Sequence, residues 1–239
     1  KAFGQLVIVH SEISAIERMK GKPFKAIFNL ELVSILNGLL RNPKSQALAR
    51  SQLSSAYRHV KLLRLALRSS KLACVYFRTS EDYLNLGKSL ITQGNIYYNL
   101  NAMEKSSQCF EEALSIASLI SDSRMTCDSL AGKARLLMAQ QSIEEAKILL
   151  DEVISLRQRT SDHNIGIEFQ NLGHYYEIRK NYQMALTWYK KALSSFRQYM
   201  PAEAGPREIF IKRIETLLGD FKRKKNNLSG EGSAVSLIS

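Results

Sequence analysis

The sequence predicts an all-α fold, a right-handed α-solenoid of five antiparallel helix pairs closed by a C-terminal capping helix. Three observations predict it. The only prolines are Pro23, Pro43, Pro201 and Pro206, which leaves the long middle of the chain without that helix breaker. Apolar residues recur at helical spacing, as in Leu130, Ala134, Leu137 and Met138, while the strict alternation of a strand is absent. A small residue also returns at a nearly fixed period: Ala26, Ala66, Ser106, Ala146 and Ala185 follow one another at equal steps, the last shorter by one.

Each helix pair is justified by the columns that move with this residue. Four positions on stand Leu30, Ser70, Phe110, Leu150 and Tyr189, and three further on stand Val33, Ala73, Ala113, Val153 and Ala192. Nine positions before it stand Glu17, Tyr57, Tyr97, Leu137 and Tyr176. A small residue lets two helices approach, a larger one fills the adjoining groove, and stacking neighbouring pairs buries the apolar face that one pair leaves open. The columns place the pairs near residues 7–40, 47–80, 87–120, 127–160 and 166–199. The first is the most divergent, because His10, Ser14 and Glu17 occupy its core columns. Phe210, Ile214, Leu217, Leu218 and Phe221 form one amphipathic stripe, read as a capping helix over 206–225 that closes a solenoid spanning 1–225. The Gly/Ser-rich segment 226–239 is expected to be a disordered tail.

Leu172-Gly173, Tyr176, Ala185, Tyr189 and Ala192, with Phe169, resemble the tetratricopeptide repeat signature, and Leu90, Gly94, Tyr97, Phe110 and Ala113 are similar. Ser54 and Ala134 replace the signature glycine in two other pairs. The resemblance covers roughly residues 7–199 and implies a right-handed superhelix of helix pairs. The usual period of the family is about 34 residues, and here it is about 40. The excess implies longer helices or longer links, as in long-period arrays similar to those of kinesin light chains, polarity adaptors and bacterial peptide-pheromone receptors.

Composition and motifs argue against catalysis. Apolar residues make up 45% and charged residues 23%, ordinary for a globular chain, and no apolar run approaches a membrane span. His10, His59, His163 and His174 are scattered, and Cys74, Cys109 and Cys127 stand alone, so no metal site is expected. No cofactor is expected either. Gly87-Lys88-Ser89 lacks the upstream glycine of a phosphate loop, since Asp82 stands there. Asn227-Leu228-Ser229 matches a glycosylation acceptor, yet nothing in the sequence suggests secretion, so no glycan is expected there. Three cysteines, an odd number, fit a reducing, intracellular compartment, with the cytoplasm expected and the nucleus as alternative.

Binding is the expected role. In arrays of this kind the first helix of each pair lines the concave groove, which nominates Ser51, Gln52, Ser55, Arg58 and His59, then Lys88, Thr92, Asn95, Tyr98 and Asn99. Asp128, Gly132, Arg135 and Met138 follow, and then Gln170, Asn171, His174 and Glu177. Asn95, Asn99, Arg135, Gln170, Asn171 and His174 are the candidate partner-binding residues, because amides both donate to and accept from the main chain of a partner segment. The two-carboxylate clamp of chaperone-binding members is not expected, since Ser51 or Ile91 stands where its first lysine would be.

The formal net charge of +12 is concentrated at the two ends of the chain. Lys61, Arg64, Arg68 and Lys71, read as one helix face, form the densest cluster within the repeats. With no nucleic-acid module and no interleaved aromatics, the stripe points to an acidic protein partner rather than nucleic acid. The reading is a non-enzymatic protein-interaction scaffold or adaptor. The alternatives are a peptide-sensing domain of a transcription or signalling regulator and, after it, a basic nucleic-acid-associated repeat protein.

Overall fold

A computed structural model describes residues 2–160, 162, 164–199, 205, 208–219 and 223. Its helices are α1 (Ala2–Met19), α2 (Pro23–Leu39), α3 (Pro43–His59), α4 (Leu63–Thr79), α5 (Tyr83–Asn99), α6 (Met103–Leu119), α7 (Ser123–Ala139), α8 (Ile143–Arg159), α9 (Ile165–Ile178) and α10 (Tyr182–Tyr199). A further helix, α11, covers 208–219, inside the expected capping helix. The tail 226–239 lies outside the described residues. Among the described residues there is no strand, and no helix is long and apolar enough to cross a membrane. The chain divides into two compact units, Lys1–Leu149 and Leu150–Ser239.

The long period of the sequence contains one half its size. From α2 to α8 all helices are equally long, as Pro23–Leu39 and Ile143–Arg159 show, and successive helices are joined by the same short link. The middle residue of each joint has positive φ, between +52° and +68°: Gly21, Arg41, Lys61, Glu81, Asn101, Ser121, Gln141 and, after α9, Lys180. Around it runs the same pair of bonds. The amide of the positive-φ residue donates to the carbonyl three back, and the next amide donates to the carbonyl five back at 2.8–2.9 Å, as in Asp82 N to Phe77 O. This is the Schellman closure of a helix C-terminus.

The residue that completes the closure also opens the following helix. Asn42, Asp82 and Asp122 accept from the backbone N–H of Ser45, Asn85 and Met125, satisfying orphan donors at the starts of α3, α5 and α7. Pro23 and Pro43 occupy the first positions of α2 and α3, where a missing N–H costs nothing. One short link therefore serves both caps, and the longer period comes from helix length rather than from extended links.

The small-residue columns mark where the helices of a pair come closest. Ser106 Oγ donates to Gly94 O at 2.8 Å, and Ser14 Oγ donates to Ala26 O at 3.2 Å. The divergent first pair thus packs as a pair, with His10 Nδ1 2.7 Å from Asn29 Oδ1 as a second tie. In the first unit, one core cluster joins Ile27, Leu30, Leu53, Tyr57, Ala66 and Ile96, and another centres on Phe77, Leu86, Leu90, Ile116 and Met125. In the second unit, Tyr189, Leu193 and Phe196 of α10 pack with Ile211 and Ile214 of α11, the role expected of the cap.

One joint differs. The link from Arg159 to Ile165 is longer than the others and α9 is shorter than its predecessors, which together produce the single shortened step between Ala146 and Ala185. Arg157, fully buried, donates through Nε to Glu168 Oε1 at 2.7 Å and through Nη1 to Asp162 Oδ2. A buried guanidinium between two carboxylates holds this joint, in addition to the five-back bond from Asp162 N to Arg157 O at 3.0 Å.

Candidate binding site

In the first unit α3, α5 and α7 lie side by side and exchange polar contacts about one repeat apart. Ser51 Oγ of α3 is 3.0 Å from Ser89 Oγ of α5. Arg135 of α7 donates through Nη2 to Asn95 Oδ1 of α5, with its guanidinium carbon 5.7 Å from the centroid of the Tyr98 ring. Two of the nominated residues, Asn95 and Arg135, thus meet. Both are half-buried, while Asn99 and Lys88 are exposed beside them. A guanidinium held by an amide and backed by an aromatic face loses little freedom on binding, and its planar shape suits a carboxylate or main-chain carbonyl.

Two neighbours expected in this groove are not on its surface. Gly132 is buried: a Cβ there would stand 2.4 Å from the Phe110 ring. Met138 is buried as well. Both face the core because α7 is covered on more than the one side that repeat columns describe.

In the second unit α9 carries the other nominees. His174 is exposed and Gln170 half-buried. Asn171, expected to be a surface contact, is buried, and its Nδ2 donates to Glu168 Oε2 at 3.0 Å. It belongs to the Arg157 cluster. Sequence reasoning missed Arg157, Asp162 and Glu168, although a deviant repeat interval was visible where they lie.

The basic stripe also needs a correction. Lys61 is not on a helix; it is the positive-φ residue between α3 and α4. Arg64, Arg68 and Lys71 do share the exposed face of α4, together with the exposed Leu65, Leu72 and Val75. Among the described residues these three cations have no ion-pair partner, whereas Arg78, further along, pairs with Glu112.

Two of the thiols, Cys74 and Cys109, show no activation. Burial pushes Cys74 up to about 11 and Cys109 up to about 12. No cluster of three His, Cys, Asp or Glu side chains among the described residues could hold a metal ion.

Two family models, both described as tetratricopeptide repeat, match residues 83–118 and 125–198. No curated protein matches. Among solved structures the chain is similar to the apo form of RapI, with 14% identity over 95% of this chain and 84% of that one, at TM-score 0.69. It is similar to a Rap protein complexed with Competence and Sporulation Factor, with 13% identity over 96% and 72% and TM-score 0.73. It is also similar to BtubC from P. vanneervenii, with 16% identity over 100% and 94% and TM-score 0.56. At these identities the likeness speaks for the fold, and the fold agrees with the matched repeats and the helix pairs described above. Residues 83–118 and 125–198 are tetratricopeptide repeats by these matches, and the helix pairs around them continue the same repeated architecture.

Proposed function

We propose that this chain is a non-enzymatic scaffold that binds a segment of a partner protein along the inner faces of α3, α5 and α7. The observation that carries the reading is the Arg135–Asn95 contact one repeat apart, backed by Tyr98. Arg135 takes a carboxylate or carbonyl of the segment, and Asn95 and Asn99 take its main chain. Gln170 and His174 provide a separate polar surface on α9. Arg64, Arg68 and Lys71 add attraction for an acidic partner, chiefly as faster association that salt suppresses. The Rap protein complexed with Competence and Sporulation Factor supports a second reading, in which ligand binding alters the array as a sensor; small-angle scattering with and without ligand separates the two.

The test is capture from native lysate by three forms: wild type, Asn95→Ala/Arg135→Ala, and Arg64→Glu/Arg68→Glu/Lys71→Glu. The groove reading expects one protein to be captured by wild type and lost with the first variant. Losing a charged hydrogen bond should weaken the identified partner by about 10- to 100-fold. Capture that survives the first variant and disappears with the second, or after nuclease, would overturn it.

A further inference from the structure

The outward faces of α2 and α4 differ in character from the same face one pair further on. Phe24, Phe28, Ile35 and Leu39 run the length of α2 and are 57–69% exposed. A helix apolar on its solvent side as well as on its core side is ordinarily a buried one. Packing within the array does not cover these columns. One pair on they hold Arg64, Arg68, Val75 and Thr79, and two pairs on Glu104, Gln108, Ser115 and Leu119, all exposed although α4 and α6 have a helix pair on either side. The outward face of α4 joins two characters, with Leu65, Leu72 and Val75 beside Arg64, Arg68 and Lys71.

Charge separates these two helices from the next. Where α4 carries Arg64, Lys71 and Leu72, α6 carries Glu104, Glu111 and Glu112. Of the three acids that precede Glu81, Glu12 and Glu17 belong to α1, and Glu31 is half-buried and accepts from the Tyr57 hydroxyl. No free carboxylate therefore stands on either outward face. Lys20, Lys22, Lys25, Arg41 and Lys44, all exposed, surround the ends of α2. The first two pairs thus present an exposed apolar surface rimmed by cations, the pattern of an interaction site for something both apolar and anionic.

We propose that this face of α2 and α4 docks on the anionic surface of a lipid bilayer, a role beyond that of the groove on α3, α5 and α7. Phe24, Phe28, Ile35 and Leu39, with Leu72 and Val75, enter the boundary between headgroups and acyl chains. Arg64, Arg68, Lys71 and the cations around α2 reach lipid phosphates through stems that lie along the apolar surface. A bilayer suits the face better than an acidic protein does. Among the described residues no buried side-chain atom of α2 or α4 lacks a hydrogen-bond partner, so the face sets no fixed polar register, and a fluid layer of phosphates needs none.

The test is co-sedimentation of the chain with vesicles of phosphatidylcholine alone and of equal parts phosphatidylcholine and phosphatidylserine. The chain should pellet with the second kind and not the first, and added salt should release it. Arg64→Gln/Arg68→Gln/Lys71→Gln should weaken binding about 100-fold. Phe24→Gln/Phe28→Gln, the residue type that Gln108 supplies in the second of these columns, should weaken it about ten-fold with helicity by circular dichroism unchanged. Phe28→Trp in a Trp188→Phe background reports the contact itself, because brominated acyl chains should quench its emission. Equal binding to the two kinds of vesicle, binding that survives both sets of substitutions, or emission that brominated lipid leaves unquenched would overturn the proposal. So would a chain that pellets with neither vesicle yet captures an acidic protein through Arg64, Arg68 and Lys71, since the occupant is then a protein.

Discussion

Phe110 offers the sharpest test of the packing argument. Its side chain is fully buried, and its ring lies against two glycines, Gly94 of α5 and Gly132 of α7. An added Cβ would approach the ring at 2.9 Å from Gly94 and at 2.4 Å from Gly132. Gly132→Ala therefore sets two effects against each other. Alanine is favoured over glycine inside a helix by about 1 kcal/mol, while overpacking a filled core costs about 1–3 kcal/mol. At 2.4 Å the second effect wins, for a net loss of about 1–2 kcal/mol. Phe110→Ala costs about 3–5 kcal/mol. In that background the ring is gone, and Gly132→Ala should stabilise by about 0.5–1 kcal/mol through propensity alone. The sign of one substitution thus inverts with the state of another, a coupling of about 2 kcal/mol. The assay is urea or thermal unfolding followed by circular dichroism, where each kcal/mol moves the midpoint by about 2–4 °C for a chain of this size. Phe110→Leu provides a milder background should Phe110→Ala unfold. If Gly132→Ala shifts stability by the same amount in every background, the ring is not seated on that glycine and the reasoning fails.

The joints and the buried cluster carry further expectations. Arg157→Met leaves the carboxylates of Asp162 and Glu168 buried without their cation and should cost about 3–5 kcal/mol in urea unfolding. Adding Asp162→Asn and Glu168→Gln should recover most of that loss. Glu81→Gly and Ser121→Gly place the favoured residue at a positive φ and should each raise stability by about 0.5–1 kcal/mol, read as a higher thermal midpoint. Asn101→Gly should gain less, because asparagine tolerates that conformation. Asp82→Ala removes the acceptor for Asn85 N and should cost about 1 kcal/mol by the same measurement.

The fold was legible because it is written in spacing. Ala26, Ala66, Ser106, Ala146 and Ala185 mark close helix contacts, and all five are fully buried. The finer period, one helix and one link long, was harder to see. Its key position is glycine only at Gly21 and elsewhere takes Arg41, Lys61, Glu81, Asn101, Ser121, Gln141 and Lys180. The αL strain at each is offset by two backbone hydrogen bonds, so no single residue type marks the turn. The acidic or amide caps Asn42, Asp82 and Asp122 recur one full repeat apart and mark only every second link, since Lys22, Leu62 and Ala102 at the intervening links provide no side-chain cap.

The candidate site was less legible for a physical reason. Repeat columns fix which side of a helix faces its own pair, but groove residues are chosen by what remains after every other neighbour has packed. Asn95 and Asn171 illustrate the difference. Both are amides nominated on first helices, and both engage a charged side chain. Asn95 accepts from Arg135 and remains half-exposed at the edge of α5. Asn171 donates to Glu168, whose carboxylate is already committed to a buried arginine, and is thereby drawn into the interior. The deciding residue is Arg157, eleven positions before Glu168 on the preceding helix. A buried cation requires carboxylates and those carboxylates require donors, so one arginine turns a polar helix surface into core.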